Sequence, residues 1–248
     1  MDRHIHTPNQ SEWANFIANS SEIDGYLVSP NEVIRNRTSP APRQLTLQMT
    51  NCCNITWDFV LSQSSPCPLE LSLRIARSLL RGATEEGVCS GGEDIEKFIS
   101  GQQFLKSCVP NVEKRLDKKT DFSIQDLDSA ISSWSGRFKP IEEKMMEYLS
   151  RGFVPMSLQQ EAAMFAWISQ YQFAYWQPFP DLNGITGRFV TNAIRLRWSM
   201  TLWGCDIKTS SWTDNLEMYS KFWRKKGYQA QPDFSLVPSL DTIAVKDE

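Results

Sequence analysis

Gln177-Pro178-Phe179-Pro180-Asp181-Leu182-Asn183-Gly184-Ile185-Thr186-Gly187-Arg188 links two apolar segments by a turn. Pro178 and Pro180 stop the helix expected upstream, because proline lacks the amide donor a helix interior needs. Asn183-Gly184 turns the chain sharply. The free N–H groups of a helix that starts after such a turn favour an anion above them. Asp181 is a candidate ligand for a divalent metal beside that anion, and Arg188 a candidate phosphate clamp.

On both sides the pattern is helical. Ser157 to Trp176 carries a broad stripe of Leu158, Ala162, Phe165, Ala166, Ile168 and Phe173, with Trp167 and Trp176 flanking it. Ser157-Leu158-Gln159-Gln160 reads as its capping box, and Gln177 as its end. A second buried helix is expected over Gly187 to Leu202, with Gly204 as C-cap. Further out, helices are expected over residues 11–19, 69–80, 141–149 and 213–226, and towards the end of 90–101. Ser29-Pro30-Asn31-Glu32 has the features of a capped helix start, as does Ser123-x-x-Asp126. Residues 36–68, rich in Pro, Ser, Thr and Asn, read as loops around a short apolar segment, Ile55 to Leu61. Residues 81–92 read as a loop whose Gly-Gly pair lacks the framing of a phosphate site. Strand signals are few, so the fold class expected is all-α.

The run 177–188 resembles the signature of the Fic (Fido) family, His-Pro-Phe-x-Asp/Glu-Gly-Asn-Gly-Arg-x-x-Arg. Pro178, Phe179, Asp181, Asn183, Gly184 and Arg188 match it, whereas Gln177, Leu182 and Ile185 replace His, Gly and Arg. Ser20-x-x-x-Asp24-Gly25 is similar to the family's inhibitory motif, whose acidic residue pairs with the last motif arginine. Here that would pair Asp24 with Arg188; read alone, Asp24-Gly25 is a helix end and turn. Ser135 to Pro140 is similar to what precedes the family's target-aligning flap, but a helix expected from Ile141 leaves that flap nearly deleted. The resemblance implies two central antiparallel helices, 157–176 and 187–202, joined by the motif loop. It implies one Fic-like domain over 1–248: an inhibitory-like helix and turn at 11–35, a divergent insertion at 36–122, a core at 123–230 and a tail at 231–248.

The family typically moves AMP from ATP to a protein hydroxyl, using its histidine as the base. Gln177 has no basic lone pair near neutral pH, and a general base contributes about 10²–10⁴ in rate. Leu182 puts a branched side chain where glycine admits phosphate, and Ile185 removes a guanidinium. A charge-assisted hydrogen bond to the ligand is worth about 1.5–3 kcal/mol, so each such change weakens phosphate binding. Standard AMP transfer is therefore not expected. Three readings stay open. In one, the site is repurposed to convert a small, fairly apolar substrate: Asp181 acts as acid or base, Gln177, Asn183 and Arg188 orient it, and Gly184, Leu182, Ile185, Trp176 and Asp24 complete the site. Tyr175, Trp198 and Trp203 are further candidates for its lining. In the second, the domain is catalytically dead and binds a nucleotide or a protein. In the third, it transfers from a phosphate-containing or sugar donor without a histidine base. The cofactor is left open, with Mg²⁺ entering only if the donor carries phosphate.

Bulk properties bound the rest. The 248 residues are 41% hydrophobic with a net charge of −3, so a sizeable core forms and nucleic acid is not an expected partner. No signal peptide or bilayer-spanning run is evident. The six cysteines lack zinc-type spacing, and vicinal Cys52-Cys53 reads as two small buried hydrophobes. A reducing, cytoplasmic setting is expected. The two histidines, His4 and His6, lie in the N-terminal segment, away from the motif.

Overall fold

The computed structural model describes residues 5–64, 66–89, 92–101 and 124–205. The helix expected at 213–226, the cap at Ser123 and the tail at 231–248 lie outside them. Among the described residues the protein is all-helical. Its helices are α1 (Gln10–Ile23), α2 (Pro30–Asn36), α3 (Gln44–Leu61), α4 (Pro68–Glu85), α5 (Gly92–Ile99), α6 (Ile124–Ser150), α7 (Met156–Trp176) and α8 (Asn183–Arg197). No described helix is long and apolar enough to cross a membrane.

The centre of the fold is α8, with every described side chain from Ile185 to Arg197 buried. It packs against α7 and also touches α3, α4 and α1. The α7–α8 pair is antiparallel. Thr191 Oγ1 donates to the Ala166 carbonyl at 2.8 Å, and nearer the loop Gly187 meets Gln170. A Cβ on Gly187 would stand 3.0 Å from both the Gln170 carbonyl oxygen and the Phe173 Cβ. Glycine is required there by the closeness of the two backbones.

Several boundaries differ from the sequence expectation. α8 begins at Asn183, inside the motif, and ends at Arg197 rather than Leu202. Gly204 is not its cap. Ser199, at φ 60°, takes the left-handed position, with Met200 N–H on the Arg195 carbonyl and Ser199 N–H on that of Leu196. α7 has no capping box: Pro155 is its N-cap, Ser157 is already inside the helix, and Gln159 Nε2 donates to the Val154 carbonyl at 2.8 Å.

Residues 135–140 form neither a flap remnant nor a break. They lie within α6, a single helix with Pro140 in its interior. Proline there costs about 3 kcal/mol. Ile131, Trp134, Phe138, Ile141 and Met145 recur at helical spacing and are all buried. At about 1.5–3 kcal/mol for each buried side chain, that stripe outweighs the proline.

The largest correction concerns α3, which occupies a stretch expected to be mostly loop. Leu45, Met49, Cys52, Thr56, Phe59 and Val60 make its buried face. Cys52 and Cys53 are buried hydrophobes, as expected, and burial pushes the Cys52 thiol up to about 12. The N-cap residue, Arg43, makes no side-chain cap bond. Glu86, just past α4, caps α3 instead by accepting from Leu45 N–H at 2.9 Å. α4 itself runs to Glu85, so it takes in the first half of the loop expected at 81–92.

Glu86 also accepts from Tyr26 Oη at 2.5 Å and Arg43 Nε at 3.2 Å, and Arg43 Nη1 donates to the Leu27 carbonyl at 3.0 Å. This cluster pins the α1–α2 turn to α3 and α4. Burial, then the bond to Glu86, raises the Tyr26 phenol from 10.0 to about 12. Burial alone would raise the Glu86 carboxyl, but hydrogen bonds from Tyr26, Leu45 N–H and Arg43 outweigh it and hold it below the usual range. For Tyr26, whose folded value is raised, the stabilisation is complete below pH 10 and lost as pH rises towards 12. For Glu86, whose folded value is depressed, it is complete above about pH 4.5 and lost as pH falls through the folded value. Urea unfolding across pH is therefore expected to show an alkaline loss of stability over that window, which Tyr26→Phe makes shallower; the part that remains belongs to the buried Cys52 thiol, which is raised as well. An unchanged slope in Tyr26→Phe would show that another group causes it.

Candidate functional site

The motif loop is built by two residues in left-handed backbone. Gln177 (φ 49°) ends α7 and Leu182 (φ 57°) precedes α8. Neither is glycine, so the loop must be held by its contacts. Asn183 supplies several. Its Oδ1 accepts from Phe179 N–H at 2.8 Å, and its Nδ2 donates to the Phe179 carbonyl at 2.9 Å and to Gln177 Oε1 at 3.2 Å. Gln177 Nε2 donates in turn to the Ala174 carbonyl at 2.5 Å. The Gln177 carboxamide is thus bonded at both ends, to Asn183 and to the last turn of α7. Phe179 anchors the loop from below, stacked on Phe173 with centroids 5.8 Å apart and tilted against Phe98 of α5 at 5.5 Å.

Arg188, one turn into α8, is fully buried. Its Nε donates to Ser20 Oγ at 2.8 Å and its Nη2 to the Ser20 carbonyl at 2.9 Å, and Nη2 also pairs with Asp24 Oδ2. Both ends of the Ser20-x-x-x-Asp24 spacing therefore meet the same guanidinium, because positions four apart share one helix face. Asp24 is also the C-cap of α1. Gly25 is left-handed at φ 78°, and Tyr26 N–H closes on the Ser21 carbonyl at 2.9 Å. The turn and the contact with Arg188 hold together.

The Asp24 carboxylate also stands against the first turn of α8. A Cβ on Gly184 would lie 3.1 Å from Asp24 Oδ1 and 3.1 Å from Arg188 Nη1. A carboxylate of the chain itself thus stands beside the helix N-terminus and the guanidinium, the two features that would attract an anion.

Asp181 sits to one side, half-buried. Its Oδ1 accepts from Leu182 N–H at 2.7 Å, and its Oδ2 accepts from the Cys89 thiol at 3.5 Å. Among the described residues no group of three or more His, Cys, Asp and Glu gathers as a metal site, around Asp181 or elsewhere. Ile185 is wholly buried and part of the hydrophobic core, and Leu182 packs against that core. Trp198 and Trp203 are core residues too. The side chains of Tyr175 and Trp176 lie outside the described residues.

The structure therefore brings together Gln177 with Asn183, and Asp24 with Gly184 and Arg188. Cys89, Phe98 and the Tyr26–Arg43–Glu86 cluster were missed by sequence reasoning. Each acts from more than forty positions away on at least one partner, and no local pattern marks such a contact. No family model, curated protein or solved structure matches the chain.

Proposed function

We propose that this chain is a diverged Fic-like domain that does not transfer AMP and acts as a binding module, with the contacts of Ser20 and Asp24 on Arg188 serving as a latch between α1 and α8. The observation that carries this reading is the filled position over the α8 N-terminus. Asp24 and Ser20 engage Arg188, and the Asp24 carboxylate stands where a phosphate would have to come. A nucleotide entering there would meet like charge and would have to break a buried ion pair. The polar groups a converted enzyme site would need are turned inward as well. Gln177 and Asn183 bond each other and the loop backbone, and Ile185 belongs to the core.

One observation favours the reading in which the pocket converts a small, fairly apolar substrate. The carboxylate of Asp181 is half-buried beside the Cys89 thiol, a titratable pair at the edge of the latch. On that reading Cys89→Ser and Asp181→Asn both abolish turnover of the substrate. Transfer from a phosphate or sugar donor would need the latch to open and Asp181 to hold Mg²⁺. A cytoplasmic placement fits the reduced thiols Cys52, Cys53, Cys67, Cys89 and Cys205.

Thermal unfolding with ATP and Mg²⁺ tests the proposal. Ligand at a hundred times its Kd would stabilise the fold by about 2.7 kcal/mol. Millimolar ATP–Mg²⁺ is expected to leave the melting temperature unchanged. A rise that disappears in Arg188→Ala would overturn the latch reading in favour of a nucleotide site.

A further inference from the structure

At the other end of α1 lies a cavity of about 400 Å³ that shares no residue with the motif loop. Its walls are the N-terminal half of α1, α2 with its C-cap, and the side of α3 that carries Thr50, Cys53, Asn54 and Trp57; Thr7 and Pro8 also line it. Two indoles line it, Trp13 from α1 and Trp57 from α3, together with Ala14, Ile17, Val33 and Ile34. Both indoles are only half-buried, although tryptophan is the side chain with most to gain from burial.

Among the described residues of the lining, Arg37 alone is charged. It caps the C-terminus of α2, is exposed, and its guanidinium has no ion pair or side-chain hydrogen bond among the described residues. Asn54, also on the lining, is exposed with its carboxamide likewise unbonded among them. Elsewhere described arginines next to the core are used structurally: Arg43 on Glu86, Arg188 on Asp24 and Arg197 on Glu142.

We propose that this cavity is a binding site for a small aromatic monocarboxylate, its flat ring between Trp13 and Trp57 and its carboxylate on Arg37. The chemistry selects that class. Two indoles with aliphatic walls suit a planar apolar body. A guanidinium matches a carboxylate with two parallel hydrogen bonds. One cation with no second positive group on the described lining suits a single negative charge, not a polyphosphate. The volume is at the small end of ligand pockets, which fits one or two fused rings. The site stands apart from the latch. Ile17, the lining residue of α1 nearest to Asp24, lies about 10 Å from it along the helix. Either proposal can fail without the other.

Calorimetric titration of the full chain with 1-naphthoate and its neutral analogue 1-naphthalenemethanol tests this. Saturable one-to-one binding of 1-naphthoate is expected, about tenfold tighter than the alcohol. Arg37→Gln should bring the two ligands to the same affinity. Asn54→Trp, at an exposed position, should fill the cavity and block both while leaving the melting temperature unchanged. Absence of saturable binding at millimolar 1-naphthoate would overturn the proposal. So would equal affinity of acid and alcohol in the unsubstituted protein, or binding that survives both substitutions.

Discussion

Replacing Arg197 with methionine is expected to lower the free energy of unfolding by about 3–5 kcal/mol, read as a shift of the urea midpoint. Arg197 ends α8 and is almost fully buried. Its Nε and Nη2 pair with Glu142 Oε1, each at 2.7 Å. Its Nη1 donates to the carbonyls of Phe59 at 2.9 Å, Val60 at 3.2 Å and Ser62 at 2.9 Å, and Nη2 to that of Ser64 at 3.3 Å. One guanidinium thus supplies the C-terminal carbonyls of α3 and also neutralises a carboxylate held by Trp198 Nε1 at 2.5 Å. Methionine fills the volume but leaves Glu142 buried without its cation and the end of α3 without donors. Total stability of a domain is about 5–15 kcal/mol, so this one change removes a large share. Combining it with Glu142→Leu is expected to restore part of the loss, because an apolar pair no longer strands a charge. A double variant weakened by the sum of the two single losses would show that the ion pair is not the source of the effect.

Arg188→Met is expected to cost about 3 kcal/mol, the low end for a broken buried pair. The guanidinium is fully buried, but Asp24 keeps about a third of its side-chain surface in water, with relative exposure of 32%, so the stranded carboxylate is partly solvated. Asp24→Asn should cost less, because the neutral carboxamide still accepts from Arg188, whose bonds to Ser20 remain. A double-mutant cycle between the two positions is expected to give a coupling of about 1–3 kcal/mol, the range for residues in direct contact. A coupling near zero would mean that the latch contributes nothing to holding α1 on α8.

The elements carrying the motif were legible because their signals are local. The apolar stripe of α7, its stop at Gln177 and the Asn183-Gly184 turn all lie within a few residues of one another. The cap at Ser29 was legible for the same reason. The contact of Asp24 with Arg188 was anticipated only through the resemblance, since nothing local ties positions 164 apart.

α3 was hidden for a definite reason. Its Thr, Asn and Cys residues are poor helix formers, and neither end carries a cap in its own sequence. Glu86 caps one end and Arg197 the other, both from elsewhere in the chain. Pro140 hid the continuity of α6 because the local penalty is visible in sequence, whereas the packing that exceeds it is not. At the site, the inward bonding of Gln177 and Asn183 could not be read either. A carboxamide presents the same donors and acceptors whether it meets a ligand or its own loop.

Label transfer from ATP radiolabelled at the α-phosphate, with Mg²⁺ and candidate target proteins, tests most directly the claim that this chain does not transfer AMP. It should be run on the unsubstituted chain and on Asp24→Ala, which opens the anion position. No label above background is expected in either, because Gln177 supplies no base even when the position is open. Labelling by either protein that is lost on adding Arg188→Ala would contradict the account and place a working transferase at this loop.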